Sequence, residues 1–293
     1  MKVIVFGGSG FLGSHVADFL TEAGHAVTIF DIKPSPYLQS DQSMYVGDIL
    51  NPEQVLDAVR GHDVVYNFAG LADLDDATTR PVDTIRLNIE GNVNMLEACR
   101  RSDVDRFVYA STIYVYSDKG GFYRCSKQAA ETYIEEMNRK YDLDFTILRY
   151  GTLYGPRADE RNSIYRYLQE AMENGRVVCS GSGEEMREYI DVRDAARLSV
   201  VILDDTYKNQ YIIISGHHPM KFKEMILMIQ EILGKNIKIE FSAQKNPDHY
   251  IYTPYSFTPK VGHKLVNHRY LDMGQGFLEC LHEIYKKRGQ HLV

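Results

Sequence analysis

The chain is predicted to be an α/β protein built on a doubly wound parallel sheet. Three observations lead there. Short apolar runs rich in β-branched residues alternate with amphipathic helical stretches through the first half of the chain. The first run, residues 2–6, ends in glycines at positions 7, 10 and 13 that open a helix. The second run, residues 26–30, ends in an acid, Asp31, about 20 residues beyond those glycines.

Residues 2–6 (KVIVF) are expected to form a strand buried on both faces. Residues 14–23 follow with Val16, Phe19 and Leu20 at helical spacing, and Gly24 closes the helix. Backbone N–H groups at a helix start favour negative charge, so a pyrophosphate is expected against Gly7, Gly10, Phe11, Leu12 and Gly13. The first glycine makes the tight turn, the second lets phosphate approach, and the third lets the helix pack on the strand. Asp31 can accept both hydroxyls of a ribose and repels a 2′-phosphate, which favours NAD over NADP; Lys33 softens that preference. The competing reading is an Asp that caps a strand end without a ligand. Strand, turn, helix, strand and acid together make a Rossmann-type dinucleotide unit.

The alternation continues. A brief strand at residues 44–46 precedes Gly47-Asp48. Asn51-Pro52-Glu53 starts a helix that runs to about Arg60, with a capping Asn and Pro in the first turn. Strands are expected at 63–68, 106–110 and 145–148, and helices at 81–101 and 122–141. After Gly155-Pro156 the rhythm changes. Helices are expected at 162–174, 194–204, 221–233 and 275–288, with strands at 177–178, 211–215 and 237–241. This predicts a dinucleotide-binding domain over 1–157, to which 188–215 return, and a smaller α/β substrate lobe from 158–187 and 216–293. Ligands of such open sheets bind in the crevice at the carboxyl ends of the strands.

Composition narrows the classes. At 293 residues and 44% hydrophobic, the chain can bury a large core. A net charge of −7 without a basic block gives nucleic-acid binding no electrostatic support. The cysteines (Cys99, Cys125, Cys179, Cys280) are scattered, which suits a reducing compartment and offers no zinc site. The chain enters a core strand at once and has no long apolar run, so neither a signal peptide nor a membrane span is expected, and the location expected is cytoplasmic. The histidines, His217 and His218 included, lack metal-ligand spacing; no metal is expected.

The run RFVYA ends at Ser111-Thr112, and Tyr123-Arg124-Cys125-Ser126-Lys127 opens the next helix. Tyr and Lys four apart share a helix face. Lys127 can lower the pKa of the Tyr123 phenol and hold a nicotinamide ribose, and Thr112 can hydrogen-bond the same substrate oxygen. With 21 tyrosines in the chain, about one such Tyr–Lys pair arises by chance, so the weight comes from its position after a strand of a dinucleotide-binding sheet.

With these residues in view, the sequence resembles the extended short-chain dehydrogenase/reductase family, in the branch of NAD-dependent sugar-nucleotide epimerases and dehydratases. The similar stretches are GGSGFLGSHV, Asp31, GDI at Gly47, FAG at Phe68, NIEGNVNMLEA at Asn88, YASTIYVY at Tyr109, YRCSK at Tyr123, LRYGTLYGPR at Leu148 and REYIDVRDAA at Arg187. The resemblance implies Thr112, Tyr123 and Lys127 as catalytic residues, Asp48 and Ile49 at the adenine edge, Phe68, Ala69 and Gly70 beside the cofactor, and Asn88 near the nicotinamide. It implies Arg187 on a substrate diphosphate and Thr152 among the substrate contacts. It also implies a homodimer through the helices at 81–101 and 122–141. Each residue has a plainer reading: Asp48 as a turn cap, Asn88 as a helix kink, Arg187 as the partner of Glu185 or Asp191, Cys125 as inert, and Tyr114 and Tyr116 as packing or pocket wall.

Departures from the family narrow the reaction. Dehydratases of this branch carry Asp-Glu after the catalytic Thr, where this chain has Ile113-Tyr114. The family usually shows Asn where Thr152 stands. Most members place a longer segment between the Thr and the Tyr, so SDKGGF leaves a smaller wall and a wider mouth. A second diphosphate arginine has no clear match over residues 249–260. The expectation is an NAD-dependent sugar-nucleotide epimerase, acting at C4 through a transient 4-keto sugar. The alternatives are an NAD(P)-dependent reductase or dehydrogenase of a keto-sugar nucleotide, and a non-catalytic dinucleotide-sensing protein on the same fold.

Overall fold

The structure is a computed structural model describing residues 1–180, 182–234, 237–242, 249–254, 261–267 and 269–287. Its centre is a sheet of eight strands. From edge to edge they are β3 (Ser43–Val46), β2 (Ala26–Asp31), β1 (Lys2–Phe6), β4 (Val64–Asn67), β5 (Arg106–Thr112), β6 (Asp144–Tyr150), β11 (Gln210–Ile214) and β14 (His263–Lys264). Every neighbouring pair is parallel. The chain runs outward from β1 to β3, then crosses back to β4 on the other side of β1. The strand order reverses between β1 and β4, so the ligand crevice opens above their carboxyl ends.

Helices cover both faces. Alternate side chains of β1 explain why: Ile4 and Phe6 enter one core, Val3 and Val5 the other, and all four are fully buried. The first face takes α2 (Pro52–Val59), α5 (Gly91–Arg101) and α6 (Gly121–Tyr141) through Val55, Leu96 and Ile134. The second takes α1 (Phe11–Glu22) and α8 (Val192–Val201) through Val16, Leu20 and Leu198. Each such side chain contributes about 1.5–3 kcal/mol when fully buried.

A third core lies outside the sheet. It gathers α7 (Ser163–Asn174), α9 (Phe222–Leu233) and α10 (Met273–Lys287) around Leu168, Ile229, Phe277 and Leu281. There β8 (Arg176–Ser180) pairs in parallel with β13 (Lys238–Ser242). Two short pairs stitch this lobe to the sheet: β7 (Thr152–Tyr154) with β10 (Tyr189–Asp191), and β9 (Met186–Arg187) with β12 (Met220–Lys221). The expected end of the last helix, Arg288, lies outside the described residues.

Three departures from expectation bear on the site. Residues 263–264, expected in the lobe, form β14 and pair with β11 at the sheet edge. The helix expected over 81–101 is broken: α4 (Pro81–Ile85) passes into a π turn, Arg86–Glu90, before α5. An unexpected helix, α3 (Leu74–Thr79), follows the FAG segment, its start capped by the Asp73 carboxylate on the Asp76 N–H. Its acidic, threonine-rich sequence shows no apolar stripe, so periodicity gave no signal. Among the described residues, no helix is long and apolar enough to cross a membrane, and no cluster of three His, Cys, Asp or Glu could hold a metal. Cys99, Cys179 and Cys280 are buried and free; Cys125 is exposed.

Candidate active site

The glycine turn sits at the carboxyl end of β1. Gly7 has φ of +76°, the left-handed region, and its N–H donates to the Phe30 carbonyl. A Cβ on Gly7 would stand 2.6 Å from the Ala69 nitrogen, so the turn lies directly on the Phe68–Ala69 backbone. A Cβ on Gly13 would stand 2.3 Å from the Gly7 carbonyl oxygen; α1 reaches the strand only because that position is bare. At Gly10 only that same oxygen, at 3.2 Å, comes within 4 Å of a built Cβ. The turn is therefore tight underneath and open above, which fits a pyrophosphate on the N-terminus of α1.

Asp31 closes the rim. One carboxylate oxygen accepts from the Ser9 N–H at 3.0 Å and the other from the Ile32 N–H at 2.8 Å. Each oxygen keeps a lone pair for a ribose hydroxyl. Asp48 does cap a turn: its Oδ1 accepts from the Leu50 N–H at 2.9 Å, while Gln54 receives its own N–H. Ile49 is buried, and its carbonyl accepts from the Asn94 amide. Phe68 stacks on Tyr66 at 5.9 Å and meets Tyr150 at a tilt, 6.4 Å away.

Asn88 lies in the π turn and is buried. Its Oδ1 accepts from the Leu71 N–H at 2.7 Å, and its Nδ2 donates to the Leu71 carbonyl and to the Ser126 hydroxyl. Both ends of the amide are thus engaged by protein. Asn88 shapes the crevice by tying the Ala69–Gly70–Leu71 backbone to α6, and a direct bond to a ligand would have to share these atoms.

Thr112 ends β5, and Tyr123 and Lys127 stand on one face of α6. The Thr112 hydroxyl accepts from the Tyr114 N–H at 3.3 Å. Burial pushes the Tyr123 phenol up to about 12, against the lowering effect of Thr112. The Lys127 ammonium donates to the Ala110 carbonyl at 2.8 Å and lies over the Tyr109 and Tyr123 rings at 4.8 and 5.8 Å. Burial pulls its pKa down to about 8, while Glu131 pulls the other way. Glu131 is itself held bidentately by Arg149 and accepts from the Ser111 hydroxyl at 2.6 Å. Arg149 continues to the Tyr116 hydroxyl at 2.8 Å. This buried network, which sequence spacing did not reveal, fixes the floor on which Thr112 and Lys127 rest.

Arg187 and Thr152 meet through a residue the sequence did not single out. Tyr250, from a segment far along the chain, is buried beside Thr152; burial raises the pKa of its phenol, against a smaller lowering effect of the Thr152 side chain. The Arg187 guanidinium lies over the Tyr250 ring at 4.1 Å. Neither expected carboxylate pairs with Arg187: Glu185 accepts from Ser182 and Asp191 is bidentate with Arg193. Residues 255–260, part of the stretch without a clear match for a second diphosphate arginine, lie outside the described residues. Beside the short segment a cleft of about 680 Å³ opens, bordered by Ser117, Lys119, Arg124, Tyr250 and Tyr252. Tyr116 is buried on Arg149, Cys125 lies exposed beside Arg124, and His217 and His218 are on the surface.

A glycine turn at the switch point and a Tyr–Lys pair at the next strand end define a dinucleotide-dependent α/β protein. The model of the NAD dependent epimerase/dehydratase family matches residues 3–214, and the chain belongs to that family of enzymes, whose cofactor is NAD. It is similar, at 26% identity over 264 residues, to a UDP-N-acetyl-alpha-D-glucosaminuronate decarboxylase of Bacillus cytotoxicus, covering 81% of this chain and 82% of the relative. It is 26% identical over 286 residues to a UDP-glucose 4-epimerase of Azospirillum brasilense, covering 84% and 82%. Among solved structures, a UDP-glucose 4-epimerase of Thermotoga maritima shares the fold with a TM-score of 0.85 at 23% identity, over 98% of this chain and 100% of the other.

Proposed function

We propose that this enzyme is a nucleotide-sugar 4-epimerase with tightly held NAD. One observation carries the reading: the buried Lys127 ammonium lies 5.8 Å from the Tyr123 ring at the end of the strand that Thr112 closes, and the residues following Thr112 are Ile113 and Tyr114 rather than acids. NAD, when bound, supplies a reversible hydride acceptor. Tyr123, as phenolate, takes the proton from the sugar hydroxyl. Thr112 donates to the oxygen as it becomes a carbonyl oxygen and holds the carbon in place. The same phenol returns the proton after the keto sugar has turned over. Arg187, paired with neither Glu185 nor Asp191, holds the diphosphate, and Thr152 with Tyr250 borders it. Gly7, Gly10, Phe11, Leu12 and Gly13 cradle the pyrophosphate of NAD, Asp31 binds its ribose, and Asp48, Ile49 and Phe68 to Gly70 line the rest.

Moving a phenol from about 12 to neutrality takes about 7 kcal/mol. Lys127 and the positive charge of the oxidised nicotinamide are the cations that can supply it. Elimination of water needs an acid–base group beside Thr112, and Ile113 and Tyr114 offer no carboxylate. The helices α4 and α6 expose Val82, Ile85, Phe122 and Tyr133, which supports a homodimer across those helices. A monomeric mass at micromolar concentration would reject the dimer.

The test is an absorbance spectrum of the purified protein, unfolded to release cofactor, then a panel of nucleotide sugars added to the native protein. Retained NAD, with transient NADH absorbance on one sugar and no net consumption, is expected. Steady consumption of added NADH or NADPH with a keto substrate would replace the epimerase by a reductase. Full retention of activity in Tyr123→Phe would remove the catalytic assignment altogether.

A further inference from the structure

Tyr114 occupies the place beside Thr112 that the short SDKGGF segment leaves uncovered. Its ring packs on Gly120, whose φ of +96° starts α6; a Cβ there would stand 2.8 Å from the Tyr114 ring. The ring meets Tyr123 edge-on at 6.4 Å and Tyr250 at 4.9 Å. Tyr250 in turn carries Arg187 on its other contact at 4.1 Å. The stack therefore runs without a break from the phenol of Tyr123 to the guanidinium of Arg187. A substrate spanning those two groups must lie along it.

Tyr114 is half-buried, and its hydroxyl is 2.7 Å from Nδ1 of His249. The charged groups facing Tyr114 are Arg187 from β9 and Asp75 from α3, with the phenols of Tyr123 and Tyr250. Burial pushes its own phenol well above the usual range, so it stays a neutral hydroxyl and does not compete with Tyr123 as a base. With the proton on Nδ1, His249 donates to the Tyr114 oxygen, and the Tyr114 O–H is left to donate into the crevice.

Resting on the epimerase reading, we propose that Tyr114, oriented by His249, is a substrate-positioning residue. It donates a hydrogen bond to the sugar substituent next to the carbon on which Tyr123 acts. Its work is to retain the keto sugar while the ring turns, where a longer segment would otherwise close the mouth. A loose wall would let the keto sugar escape and leave the cofactor reduced.

The experiment compares wild type with Tyr114→Phe, His249→Ala and His249→Asn, all as purified holo-protein, using the nucleotide sugar that gives the wild-type NADH transient. The readout is the fraction of turnovers that end with free keto sugar and stably reduced cofactor, measured beside the rate of the first hydride step. Tyr114→Phe and His249→Ala are expected to raise that fraction about tenfold while the first step changes little. His249→Asn keeps a donor near the Nδ1 position and is expected to fall back toward wild type. Equal slowing of both steps without escape, or His249→Asn behaving as His249→Ala, overturns the proposal. A wild-type transient with unchanged escape in Tyr114→Phe overturns it alone. No transient in wild type with any sugar overturns the epimerase reading and this inference with it.

Discussion

Lys127 is 7% exposed, with its ammonium on the Ala110 carbonyl. Its pKa falls from 10.5 to about 8, with burial as the largest cause. For a base the sign is a cost: between pH 8 and 10.5 the unfolded chain binds the proton and the folded one releases it, so stability rises with pH across that window. Below pH 8 both states hold the proton and the cost is complete, about 3 kcal/mol. Lys127→Met removes it. Urea unfolding at pH 7 and pH 10.5 is expected to show the variant gaining relative to wild type at the lower pH and losing that gain at the higher. A difference between the two proteins that does not change with pH would contradict the origin given for it. At Tyr123 the expectation is catalytic: Tyr123→Phe lowers kcat by about 10²–10⁴-fold with NAD content unchanged. A fall of only a few-fold would mean that another group moves the proton.

The strand–turn–helix unit of β1 and α1 separates two uses of glycine. Gly13→Ala drives a methyl against the Gly7 carbonyl oxygen, a backbone atom that cannot swing away. Loss of stability by several kcal/mol and of bound NAD together is expected, read by denaturation and by cofactor content. Gly10→Ala meets only an oxygen at 3.2 Å, so the fold should hold while NAD affinity falls, because the methyl would stand on the proposed pyrophosphate site. If both variants unfold alike, the open side of the turn has been misassigned. The π turn Arg86–Glu90 is the other element with a visible task. It puts Asn88 where its amide ties Leu71 to Ser126, so the loop after β4 is bonded to the helix bearing Tyr123.

Across the molecule, what was legible in the sequence follows physical rule. The buried strands β1, β2, β4, β5, β6 and β11 announce themselves because both faces are covered, which forces continuous apolar runs. The glycine turn is legible because only one residue type tolerates those approaches. The pairs β7–β10 and β9–β12 are two or three residues long, too short for a period to show. Tyr250 and His249 reach the site by topology, and no spacing links them to Arg187 or Tyr114. The π turn was hidden because it keeps the apolar stripe of a helix while shifting its phase. Whether Arg187 was paired with Glu185 or Asp191 could be decided only by geometry.

The order of the strands also has a consequence during synthesis. β6 is bordered on its far side by β11, which is made some sixty residues later, from Gln210 opposite Thr146. Until that segment leaves the ribosome, β6 presents a bare row of N–H and C=O groups flanked by apolar side chains, a template for pairing with another nascent chain. A chain stopped after residue 187 is expected to sediment as aggregate or remain with chaperones, while the full chain stays in the supernatant. Recovery of the short chain as a dispersed monomer would show that the six strands made by then close their own edge.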